Sequence, residues 1–78
     1  MADHTRLVLN VPGISCNHCR MAIEGAVAGL DGVESVAVDV AAKSVEVVFD
    51  GQLVDRERIA SAIGDEGYEV TGAHSFEG

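Results

Sequence analysis

The spacing of the apolar residues constrains this chain more than any other feature. Leu7, Leu9 and Val11 recur at every second position, the repeat of a strand with one buried face. Pro12-Gly13 breaks that run. Cys19, Ala22, Ile23, Ala26, Val27 and Leu30 then recur three and four residues apart, which is one face of a helix. Ser15 suits its N-cap, so the helix is expected to begin at about Cys16 or Asn17. Gly29 and Asp31-Gly32 end it. Alternation returns from Val33 to Val40, with Val36, Val38 and Val40 inward and Ser35 and Asp39 outward. Ala41-Ala42-Lys43 is a short connection to a third strand, Ser44 to Phe49, that buries Val45, Val47 and Phe49. Asp50-Gly51 stops it. Asp55 caps a second helix to about Glu66, buried along Ile59, Ala62 and Ile63, and Gly67 fits the position just past its end. A last strand is expected from Tyr68 to about Ser75, with Tyr68 and Val70 on one face and Phe76-Glu77-Gly78 frayed.

The order is β-α-β-β-α-β. It predicts an α+β, ferredoxin-like fold: a four-stranded antiparallel sheet with two helices on one face. With 78 residues, positions 1–78 are expected to form a single domain with a small core. No apolar run approaches the roughly 18 residues of a membrane span. The polar start Met1-Ala2-Asp3-His4-Thr5-Arg6 leads straight into a strand without a signal-peptide pattern. A free-standing cytoplasmic protein is the expectation. The net charge of −8 argues against nucleic acid, which needs a basic footprint, and against stable binding to an anionic membrane. It favours solubility, and it could steer docking onto a basic partner.

Chemistry concentrates at Cys16 and Cys19, the chain's two cysteines, between the first strand and the first helix. In a reducing compartment that spacing points to a metal or a dithiol couple rather than a structural disulfide, which would close almost no loop. Cys19 lies on the buried stripe and Cys16 ahead of it, so Cys16 is expected to be the more exposed thiol. A helix N-terminus favours thiolates through its free N–H groups and partial positive charge. Two thiolates with open sides suit a soft ion that tolerates low coordination, such as Cu(I). They suit structural zinc poorly, since zinc wants four ligands. The topology places the thiol loop, the Ala41–Lys43 connection and the Glu66-Gly67-Tyr68 turn at one end of the sheet. It places His4 and His74 at the other end, leaving His18 as the histidine within reach. His18 is either a third ligand or a solvated first-turn residue.

Three segments resemble the heavy-metal-associated domain family: Gly13-Ile14-Ser15-Cys16-Asn17-His18-Cys19, Leu30-Asp31-Gly32-Val33, and Ile63-Gly64-Asp65-Glu66-Gly67-Tyr68-Glu69-Val70. The chain is most similar to its small bacterial copper chaperones, and also to N-terminal domains of copper-transporting P-type ATPases. The resemblance covers nearly the whole chain. It implies Cu(I) held by Cys16 and Cys19, with His18 as a third or bridging ligand. It also implies ligand exchange to a copper-transporting P-type ATPase through its metal-binding domain or membrane entry site. One departure is Ile14, where the family carries a Met that packs beneath the loop. An Ile of similar volume substitutes at small cost and leaves other thiophilic ions open.

Around that centre, Tyr68 is expected beside the thiols, packing first and shielding second. Arg20 either offsets the charge of a metal dithiolate or is plain surface. Met21 is carried away from the loop by the helix. Asp65, Glu66 and Glu69 form either a docking patch or a solvated turn. A second copy could share copper between four thiols as a copper-bridged homodimer. Two other functions compete. A thiol-disulfide redox protein also places CxxC at a helix start, but no proline follows the motif here. A regulatory metal-sensing domain of a larger transporter would share the site, but the initiating Met1 and the compact ends make a free-standing protein the expectation. The sequence contains no catalytic constellation, and no enzyme activity is expected.

Overall fold

Strand alternation and helical stripes translate directly into elements. A computed structural model describes residues 4–77; residues 1–3 of the polar start and residue 78, where fraying is the expectation, lie outside them. The elements are β1 (His4–Asn10), α1 (Asn17–Ala28), β2 (Val33–Asp39), β3 (Ser44–Asp50), α2 (Arg56–Asp65) and β4 (Gly72–Glu77). The strands form one antiparallel sheet in the order β2-β3-β1-β4, with β1 and β3 central. This is the ferredoxin-like arrangement that the apolar periods predict.

Register follows from the period of two, because a one-residue slip would turn every apolar side chain to solvent. Leu7 pairs with Val47 and Leu9 with Val45, while Val36 and Val38 of β2 face the same two valines. Those residues join Ile23 and Val27 of α1 and Ile59 and Ile63 of α2 in one core. An irregularity between Val33 and Ser35 lets Val33, Val36 and Val38 all turn inward despite their uneven spacing. Among the described residues no polar or charged side chain is buried, so the interior carries no unpaired polar group.

The last strand differs from expectation. Tyr68, Glu69 and Val70 are not paired; β4 begins at Gly72, opposite Asn10. The reason lies in β1. Past Asn10 the chain runs into the Pro12-Gly13 turn, and the Thr71 N–H closes the pairing by donating to the Asn10 carbonyl at 2.9 Å. Residues 68–70 therefore have no strand beside them, although their pattern alternates. The delayed start carries Phe76 and Glu77 into pairing with Arg6 and Thr5, so those two are not frayed. It also moves His74 opposite Val8 in mid-strand, and not to the far end. His4 does lie at that end, opposite Asp50 and against the Glu34 carboxylate.

Candidate metal centre

The thiol loop is built from both sides. Pro12-Gly13 reverses the chain, and the Ile14 N–H donates to the Val11 carbonyl at 3.1 Å. Ile14 is fully buried and anchors the loop from beneath, the packing role expected at that position. The β2–β3 turn closes the other flank: the Lys43 ammonium donates to the Ile14 carbonyl at 2.9 Å. The sequence marked Ala41–Lys43 only as a connection at this end. Its one signal was a lone cation in a turn beside the thiol loop.

Cys16, not Ser15, occupies the N-cap of α1, in extended conformation and with no side chain capping the helix. A thiol is a poorer acceptor than the expected hydroxyl, so the first-turn N–H groups stay available to whatever binds at the mouth. The two sulfurs lie 3.5 Å apart. Cys16 is exposed and Cys19 is 8% exposed, the division read from the helical stripe. Both cysteines are unpaired thiols.

Tyr68 arrives through the end of α2. Gly67 adopts φ 92°, a left-handed conformation that glycine takes without strain. The Gly67 N–H donates to the Gly64 carbonyl and the Tyr68 N–H to the Ile63 carbonyl, a Schellman closure. That closure turns Tyr68 back toward the thiol loop, where a Cβ added at Gly13 would meet its Cδ1 at 3.4 Å. The aromatic packs on the loop and brings its hydroxyl to Cys19.

The electrostatics follow. The Tyr68 hydroxyl, the Ser15 N–H, the Cys16 thiol and the Cys16 N–H all favour a thiolate at Cys19, and they outweigh its burial. Its pKa falls from 9.0 to about 6. The reciprocal effect raises Tyr68 to about 12, chiefly because its proton is held by Cys19 and secondarily by burial and the nearby anions. These contacts favour the Cys19 thiolate over the thiol, with Tyr68 as donor.

The structure brings Cys16 and Cys19 together. His18 is exposed on the first turn. Among the described residues no three His, Cys, Asp or Glu side chains gather as an ion cage, so His18 is not drawn into the sulfur pair. Met21 points away, 66% exposed. Asp65, Glu66 and Glu69 are exposed; Glu66 is close enough to Tyr68 to help raise its pKa. Two soft donors, one shielded and one accessible, can grip a soft ion while leaving a side open for entry and exit.

Comparison with known proteins agrees with this geometry. The heavy-metal-associated domain pattern matches residues 8–69. The copper chaperone CopZ of Staphylococcus haemolyticus is 48% identical over 63 residues, 81% of this chain and 93% of the relative. The structure of a CopZ metallochaperone superposes with a TM-score of 0.83 at 39% identity, over 85% of this chain and 98% of that one. A copper-binding domain from a P-type ATPase superposes at 0.81 and 30% identity, over 92% and 93% of the two chains. By sequence and by architecture, the chain belongs to the heavy-metal-associated domain family.

Proposed function

We propose that residues 1–78 form a single-domain copper carrier. Cys16 and Cys19 hold one Cu(I) as a dithiolate at the mouth of α1, and a partner's thiols remove it by ligand exchange. The observation that carries this reading is the sulfur pair, 3.5 Å apart with one member shielded and the other exposed. A two-coordinate Cu(I) satisfies its preference for sulfur there, whereas zinc would lack two of its four ligands. An ion held in line between two sulfurs needs them farther apart than 3.5 Å, since a single metal–thiolate bond such as zinc's is already about 2.3 Å. We assign that adjustment to Cys16, the exposed member of the pair.

Transfer proceeds through the open side. A thiol of the partner joins the ion, Cys16 leaves first because it is accessible, and Cys19 follows. The relative's name, copper chaperone, and the likeness to an ATPase-derived copper-binding domain support a copper-transporting P-type ATPase as recipient, met by a cytoplasmic carrier at its metal-binding domain or membrane entry site. His18, exposed beside the pair, serves as an accessory donor when a partner or a second copy approaches. No bond-making chemistry on a substrate is involved, so the protein acts as a carrier and not as an enzyme.

The test is an anaerobic Cu(I) competition titration against a chromophoric chelator, on the reduced protein and on Cys16→Ser and His18→Ala. Tight one-to-one binding that collapses in Cys16→Ser and survives in His18→Ala is the expected result. A parent that fails to compete with the chelator would overturn the copper reading.

A further inference from the structure

Lys43 is the one non-glycine residue at positive φ among the described residues, at 54°. The left-handed region strains an L-residue and glycine would relieve that strain, so the lysine side chain offsets it through its own contacts. The turn around Lys43 is fixed independently, because the Ala42 N–H donates to Asp39 Oδ1 at 3.1 Å. From this fixed turn Lys43 reaches the thiol loop twice. Its carbonyl accepts from the Val11 N–H at 2.9 Å, and its ammonium donates to the Ile14 carbonyl, also at 2.9 Å. One residue thus brackets the loop at its root and directly before the thiols.

The second contact falls on a particular peptide unit. The carbonyl of Ile14 and the N–H of Ser15 belong to one planar trans group and point in opposite directions. The ammonium takes the carbonyl side, and the N–H side faces the Cys19 sulfur. We propose that Lys43 is a positioning residue of the metal centre: its ammonium locks the Ile14–Ser15 peptide so that the Ser15 N–H stays aimed at Cys19. The same contact polarises that peptide, because a cation on the carbonyl strengthens the donor at the opposite end. It also fixes a positive charge at the base of a loop whose copper-loaded dithiolate carries net negative charge. The effect on metal binding rests on the carrier reading; the effect on the loop does not.

The experiment compares the reduced parent with Lys43→Met, Lys43→Gly and Lys43→Arg. The first readout, taken without metal, is the Ser15 amide proton NMR signal and its exchange rate. The second is Cu(I) affinity by competition. Lys43→Met is expected to shift the Ser15 amide, speed its exchange, and weaken Cu(I) about fivefold to tenfold, the net scale of one ordinary hydrogen bond. Lys43→Gly relieves the left-handed backbone and is expected to show the same loss at the site without loss of fold stability. Lys43→Arg restores both readouts. A Ser15 amide in Lys43→Met that coincides with the parent's overturns the proposal. So does a Lys43→Gly protein with the parent's Ser15 amide and copper affinity, since Lys43 would then serve the turn alone. A parent that does not bind Cu(I) overturns the carrier reading instead, because the amide is read without metal.

Discussion

At the residue scale, the pair Cys19 and Tyr68 sets the charge state of the centre. Cys19 titrates at about 6 in the fold against an ordinary 9.0. A depressed acid contributes stability that is complete above the ordinary value and is lost as pH falls through the folded one. The reduced, metal-free protein is therefore expected to lose stability between pH 9 and about pH 6. Tyr68, raised to about 12 from 10.0, has the opposite sign: its contribution holds below pH 10 and disappears as pH rises toward 12. Both shifts describe one hydroxyl donating to one thiolate, so removing the hydroxyl weakens both. Tyr68→Phe is expected to move the Cys19 midpoint upward in a pH titration of thiolate ultraviolet absorbance. It is also expected to flatten the acid-side loss of stability. An unmoved midpoint would mean that the backbone N–H groups and Cys16 hold the thiolate without the tyrosine.

At the scale of elements, the two helices start differently, and the difference tracks their use. Asp55 caps α2 by accepting from the Arg58 N–H at 2.8 Å, whereas α1 begins at an uncapped cysteine. Asp55→Ala is expected to lower stability by about 1 kcal/mol in a denaturant titration and to leave copper affinity unchanged, because that end is remote from the thiols. Cys16→Ser should behave in reverse: the hydroxyl is a true cap and adds roughly 0.5–1 kcal/mol to the metal-free protein, while copper binding is lost. A Cys16→Ser protein no more stable than the parent would show that the mouth of α1 is not short of a cap. Most elements were legible because their signal is local. The period-two runs of β1 to β3, the helical stripes, the Asp55 cap and Gly67 depend on neighbours in sequence, and so does the CxxC pair. What was not legible depends on distant chain. Val70 alternates like a strand residue, but β1 has already ended at Asn10. Lys43 meets Ile14 across 29 residues, a contact that exists only once the hairpin has folded against the loop. The helix starts at Asn17 as expected, but its N-cap is Cys16 and not Ser15, a one-residue difference that the residue types do not signal because a hydroxyl is the better cap.

At the scale of the whole molecule, a small core and a metal site divide the work of stability. A chain of 78 residues has a folding free energy on the order of 4–12 kcal/mol, held here by one cluster of aliphatic side chains and Phe49 between the sheet and two helices. Any ion that binds only the folded state adds to that. With free Cu(I) buffered at about a thousand times its dissociation constant, the added stability is about 4 kcal/mol. In a domain of this size each kcal/mol moves the midpoint by about 4–8 °C, so copper is expected to raise Tm by roughly 15–30 °C. Two variants separate the site from the scaffold. Cys16→Ser should melt at one temperature with and without copper. Phe49→Leu lies at the opposite end of β3, facing Thr5, and should lower Tm in both states while keeping the full copper increment, because distant sites add. Its own cost is about 1 kcal/mol. Thermal scans of the three reduced proteins under buffered Cu(I) decide this. A copper increment that shrinks in Phe49→Leu would mean that the thiol loop and the far core are energetically one unit, and that the loop is not an independent binding element carried on a rigid sheet.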